Sequence, residues 1–102
     1  MVFRLASRSQ GLLVRQGNPL VLRRWSDLLL PEIVLANREK GAGARVLLDE
    51  HLRMLEAPYQ AIQGYDRELS SELAVGTFVA QGLADVGIGS EKTFQHVPGL
   101  DY

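Results

Sequence analysis

No cysteine occurs among the 102 residues. That excludes a disulfide framework and any thiolate metal site, and it leaves the redox compartment open. No apolar run approaches the ~18 residues that a membrane-spanning helix needs. The first eight residues lack the long apolar middle of a secretory signal, so the sequence as it stands is expected in the cytoplasm. Export would need a leader. Neither sign of charge dominates: 11 basic and 12 acidic residues leave a net −1. Direct nucleic-acid binding and acidic-tail behaviour are therefore not expected. Histidine is scarce. His51 and His96 stand far apart without clustered carboxylates, so no metal site is expected. His51, among charged neighbours, is expected to face solvent. No Ser-His-Asp or Cys-His arrangement is argued by spacing, so no catalysis is expected either.

What is present suits one small α/β domain over residues 1–102. Apolar residues make up 46% of the chain, enough for a modest core. Residues 10–15 read as a short buried strand, closed by turn chemistry at Gly17, Asn18 and Pro19. Residues 25–30 read as a short helix with Ser26 or Asp27 near its start and Pro31 at its end. Trp25 is expected to pack, and Arg23 with Arg24 to be solvated. The unbroken apolar run 33–36 reads as a strand buried on both faces. A helix is predicted over 44–56, with Leu48, Leu52 and Leu55 on one stripe and Arg45, Asp49 and Arg53 on another. A further strand is expected over 61–65, interrupted by Gly64.

The spacing predicts a third helix over 70–83, capped by Ser70 or Ser71, with Glu72 suiting its dipole. Leu73, Thr77 and Ala80 would share one side, with Ala74 and Phe78 beside them. Gly76 inside it implies close packing. Residues 85–89 alternate glycine with aliphatic residues, as a strand does when something approaches its backbone closely. One more short strand is expected after Thr93. Strands alternating with helices predict a three-layer αβα sandwich with a mainly parallel, mixed sheet.

In such sheets ligands sit beyond the carboxyl ends of the strands. Three segments fall there: the glycine loop around Gly41, the Gly89–Ser90 corner and the start of the third helix. The loop is the most informative. A strand, Gly41-Ala42-Gly43-Ala44-Arg45 and a helix follow one another. A helix start carries unpaired N–H groups and partial positive charge, so it holds anions. Gly41 and Gly43 let the backbone turn and approach a guest, and Arg45 adds charge. The same residues also read as a plain strand–helix turn with Arg45 paired to Asp49. It is not a P-loop, because no Lys-Ser or Lys-Thr follows the second glycine. Ser70, Ser71 and Glu72 read more readily as caps than as ligand contacts. Asp85 suits either a cleft or a strand-start hydrogen bond, and Tyr65 either a cleft or plain packing.

Several segments occur together in order: Gln-Gly-Leu-Leu-Val-Arg-Gln-Gly-Asn-Pro (10–19), Trp-Ser-Asp-Leu (25–28), Asn-Arg-Glu-Lys-Gly-Ala-Gly-Ala-Arg-Val-Leu-Leu-Asp-Glu (37–50), Gly-Tyr-Asp-Arg-Glu (64–68), Leu-Ala-Val (73–75), Val-Ala-Gln-Gly-Leu-Ala-Asp-Val-Gly-Ile-Gly (79–89) and Gly-Leu-Asp-Tyr (99–102). Over almost its whole length the chain thus resembles the periplasmic-binding-protein-like domain of the molybdate-binding type. Such domains often follow a helix-turn-helix DNA-binding region, as a regulator's effector domain, or a molybdenum-cofactor synthesis domain. The resemblance implies a type II periplasmic-binding fold, two lobes around a cleft, of which this chain matches one. Residues 10–16 correspond to the hinge strand, 19–92 to the lobe and 93–102 to the return segment.

The resemblance also implies the ligand: a small oxyanion, molybdate or tungstate, and no other cofactor. Gly41, Ala42, Gly43, Ala44, Arg45, Ser70, Ser71 and Glu72 would line its site. Two departures weaken that expectation. The family loop usually reads Gly-Ser-Gly-Thr-Arg, so both hydroxyls are missing here; each charge-assisted hydrogen bond lost is worth roughly 1.5–3 kcal/mol. Glu72 replaces a usual histidine and would repel an anion. A non-catalytic binding or sensor lobe, with its oxyanion site weakened or lost, is the first expectation. The alternative is an interaction module, an isolated lobe whose exposed cleft face and strand edges pair in a homodimer.

Overall fold

A computed structural model of the chain describes residues 10–102. Residues 1–9, on which the expectation about a leader rests, lie outside the described residues. Five strands form one sheet: β1 (Gln10–Arg15), β2 (Leu35–Arg38), β3 (Glu68–Leu69), β4 (Val86–Ser90) and β5 (Leu100–Asp101). Their order is β3-β2-β4-β1-β5. The β2–β3 and β2–β4 pairings are parallel, and β1 is antiparallel to both β4 and β5. Only β1 therefore runs against the others, and the sheet is mixed. Three α-helices follow strand ends: α1 (Gly43–Met54), α2 (Glu72–Ala80) and α3 (Glu91–His96).

Strand alternation sends successive side chains to opposite faces. Val14, Leu35, Val86 and Ile88 meet Leu48 and Leu52 of α1, together with Leu22, Leu28 and Ile33, on one face. Leu13 and Ala36 meet Val75 and Val79 of α2, with Val97 and Leu100, on the other. Three layers result, as the alternation of elements predicts. The glycines of β4 serve this second face. A Cβ on Gly87 would stand 2.3 Å from Val75 Cγ1, and one on Gly89 would stand 2.4 Å from Leu13 Cδ1. Gly76 is close-packed too, 2.9 Å from Thr93 Cγ2.

Several elements differ from expectation. Leu55 caps α1 beyond its last turn and is 45% exposed, so the apolar stripe stops at Leu52. The expected strand over 61–65 is absent. Residues Tyr59–Ala61 form a 3-10 turn, Gln63 makes a single bridge to Val34, and the strand is β3 further on. Gly64 explains the break: its φ is +88°, and a Cβ there would lie 2.1 Å from the Leu35 carbonyl oxygen. The third helix buries Val75, Gly76 and Val79 and leaves Leu73 57% exposed. Its sequence is apolar nearly all round, so packing against β4 rather than periodicity selects the face. Helix α3 was not anticipated within the tail.

The 3-10 turn Trp25–Leu29 has Arg24 as its N-cap, and Asp27 reaches back to the Arg23 and Arg24 N–H groups at 2.8 and 3.1 Å. These two bonds hold the Asp27 carboxyl below its usual pKa. His51 is not simply solvated: its ring stacks on Trp25 at 4.0 Å between centroids. Among the described residues no helix is long and apolar enough to cross a membrane.

Candidate functional site

One end of the sheet gathers the carboxyl ends of β2, β3 and β4 with the amino end of β1. Register fixes this, since Arg38 pairs with Leu69 and Gln10 with Ser90. All three helices begin at this edge. Asp85, weighed as a cleft residue, lies at the opposite end. Its carboxylate accepts from the Val34 N–H at 2.8 Å and pairs with Arg15 at 3.1 Å, a strand-start bond.

The loop after β2 opens on Gly41, whose φ of +94° suits glycine and whose missing Cβ faces no atom within 4 Å. Ala42 is the N-cap of α1 in extended conformation, and among the described residues no side chain caps the first turn. No acidic residue lies in that turn either. The N–H groups of Gly43, Ala44 and Arg45 have no intrahelical acceptor by position. Gly43 is exposed, and Ala44 turns its methyl inward. Beside Gly43 stands Gln10, with Nε2 3.9 Å from where a Cβ would be. Gln10 Oε1 is buried without a hydrogen-bond partner among the described residues. Sequence reasoning missed Gln10, because only the β1–β4 register brings it here.

Arg45 does not reach into this space. Its side chain is 3% exposed and pairs with Asp49 at 3.2 Å and Glu68 at 3.2 Å. Its Nη1 also donates to the Arg38 carbonyl at 2.9 Å, and its guanidinium covers the Tyr65 ring at 4.4 Å. Burial alone would lower its pKa, but Tyr65, Glu68 and Asp49 outweigh burial and raise it. The expected Arg45–Asp49 pair is present. Tyr65 is packed and donates to Asp49 at 2.6 Å. Burial, then that bond, push its pKa up.

At the start of α2, Ser70 is exposed and Ser71 is the cap, accepting from the Ala74 N–H at 3.0 Å. Glu72 bends across to the β4–α3 corner. One carboxylate oxygen accepts from the Ser90 N–H at 3.2 Å, the Ser90 hydroxyl at 2.6 Å and the Thr93 hydroxyl. Burial would raise the Glu72 pKa, but these bonds and the charge of Arg38 hold it below its usual value. Among the described residues the edge therefore presents a helix start without a side-chain cap at α1 and a negative charge at α2. Among the described residues no cluster of three or more His, Cys, Asp or Glu is placed to hold a metal ion.

A family model described as PBP superfamily domain matches residues 1–102. The chain belongs to the PBP superfamily. Uncharacterized protein YvgK of Bacillus subtilis (strain 168) is 40% identical over 95 residues, 93% of this chain and 30% of that protein. A protein from the ferredoxin 2Fe-2S gene 5′ region of Clostridium pasteurianum is 49% identical over 57 residues, 56% of this chain and 50% of its own. The chain thus spans half or less of the length of these relatives.

Among solved structures, an ancestral cyclohexadienyl dehydratase matches 98% of the chain with a TM-score of 0.65 at 19% identity. A mutant of ArgBP from T. maritima matches 92% with a TM-score of 0.63 at 15% identity. A protein of Wolinella succinogenes described as an ABC-transporter binding component, complexed with lysine, matches 92% with a TM-score of 0.56 at 21% identity. The match covers 37% of the ArgBP chain and 39% of each of the other two. The fold is one lobe of the type II PBP architecture.

Proposed function

We propose that this PBP domain supplies one wall of a ligand cleft and holds a small anion on the N–H groups of Gly43, Ala44 and Arg45. The observation that carries this reading is the start of α1, which among the described residues has no side-chain cap and exposes Gly43, set against α2, which Ser71 caps. Ser70 adds an exposed hydroxyl at the same edge. Arg45 acts by bracing the loop through the Arg38 carbonyl, not by touching the guest. Molybdate and tungstate are the ligands that the family resemblance suggests. The Glu72 charge opposes a doubly charged guest, so weak, millimolar binding is the expectation. The role is binding and not catalysis.

The test is amide NMR of the 102-residue chain with molybdate, tungstate, sulfate, phosphate and lysine, the last because its carboxylate offers the same chemistry. Shifts centred on residues 43–45 are expected. Ala42→Asp places a carboxylate cap on the same N–H groups. It should stabilise α1 by about 1 kcal/mol and abolish those shifts. Absence of any shift at millimolar anion rejects the reading.

A second reading, the interaction module, is favoured by Val46 and Leu73. They lie in the opening turns of α1 and α2 and are 51% and 57% exposed. An opposing lobe or a second copy would cover them. Sedimentation that shows only monomer at high concentration removes the homodimer.

A further inference from the structure

The carboxyl-terminal half of α1 carries a cavity. A helix of 12 residues is about 18 Å long, and the cavity lies toward its carboxyl end, although Asp49 and Tyr65 in its lining also hold Arg45 of the first turn. The cavity has a volume of about 490 Å³, and its lining includes Asp49, Leu52, Arg53, Glu56, Tyr59 and Tyr65. That volume lies in the ~300–1,000 Å³ range of small-molecule sites. Its floor is apolar, because Leu52 and Tyr65 are buried. Tyr59 walls one side, half exposed, with its ring 5.0 Å from that of Tyr65.

The charges on its rim are unbalanced. Asp49 keeps its side chain 43% exposed but is already paired with Arg45 at 3.2 Å and accepts from Tyr65, which leaves Glu56 as the charge without a partner among the described residues. Glu56 is exposed and makes no ion pair among the described residues. Arg53, the one cation on the rim, is already paired with Glu50 at 3.3 Å. The cavity also lies at the carboxyl end of α1, where the helix dipole favours positive charge. Next door the protein already seats a cation on a tyrosine, since Arg45 covers the Tyr65 ring at 4.4 Å.

We propose that this cavity binds a small organic cation, an amine or guanidine on an aromatic or aliphatic body. The body lies on Leu52, and the cation meets the Tyr59 ring and the Glu56 carboxylate. An anion of the same size would face the Glu56 carboxylate and the negative helix end.

The probe is 2-phenylethylamine, titrated into the 102-residue chain and followed by amide NMR, with uncharged 2-phenylethanol alongside. The expected result is saturable shifts around residues 52–59 for the amine and much weaker ones for the alcohol. Glu56→Gln should weaken the amine about threefold, as an exposed ion pair does. Tyr59→Ala should weaken it by about the same factor through the lost ring face. Both positions are exposed, so folding is retained, and circular dichroism checks it. Equal binding of alcohol and amine, shifts elsewhere, or no shift at 10 millimolar (roughly the weak limit for a ligand of this size) overturns the proposal.

Discussion

Arg45 shows how one residue type serves two ends. A guanidinium offers five donors in a rigid fork, and here they go to Asp49, Glu68 and the Arg38 carbonyl. Removing it takes a partner from two carboxylates and a part-buried carbonyl at once, with Asp49 left only its bond from Tyr65 among the described residues. Arg45→Ala should therefore cost about 2 kcal/mol, less than a fully buried pair because Asp49 and Glu68 keep access to water. Arg45→Lys should recover only part of that, since an ammonium cannot fork. Chemical denaturation of the three proteins checks the order. If Arg45→Ala melted like the parent, the side chain would not be bracing the loop.

At the level of elements, strand β4 governs the packing. Its two glycines leave room for Val75 and Leu13. Gly87→Ala would push a methyl into Val75, and overpacking of this kind costs roughly 1–3 kcal/mol. A thermal melt of that variant should show the loss, whereas Gly17→Ala, which meets no neighbour, tests backbone strain alone. Strands β1 and β4, the Gly41 loop and the Ser71 cap were legible because each has a local cause: an apolar run, a turn residue, a hydroxyl before a helix. The face of α2 was not, since a helix apolar on every side has no period to read. Nor was the break at Gly64, which needs the Leu35 carbonyl to explain it. In the site, the loop was readable but the fate of Arg45 was not. Its spacing from Asp49 suggested one partner, while Glu68 and Tyr65 arrive only with the fold.

For the molecule as a whole, acid is the informative variable. The Glu72 carboxyl has a lower pKa in the folded chain than its ordinary value. The unfolded chain then binds more protons between the two, so stability from this group is fully present above the ordinary glutamate pKa of ~4.3 and is lost as pH falls through the folded value. Denaturation midpoints should fall below about pH 4, and Glu72→Gln should flatten that part of the curve. An unchanged acid limb in the variant would assign the loss to other carboxylates. The chain has one tryptophan, and its indole rests on His51 in the last turn of α1. Its emission is therefore an internal optical gauge of how firmly that helix is seated. Guests at either end of α1 become readable by light without attaching a dye.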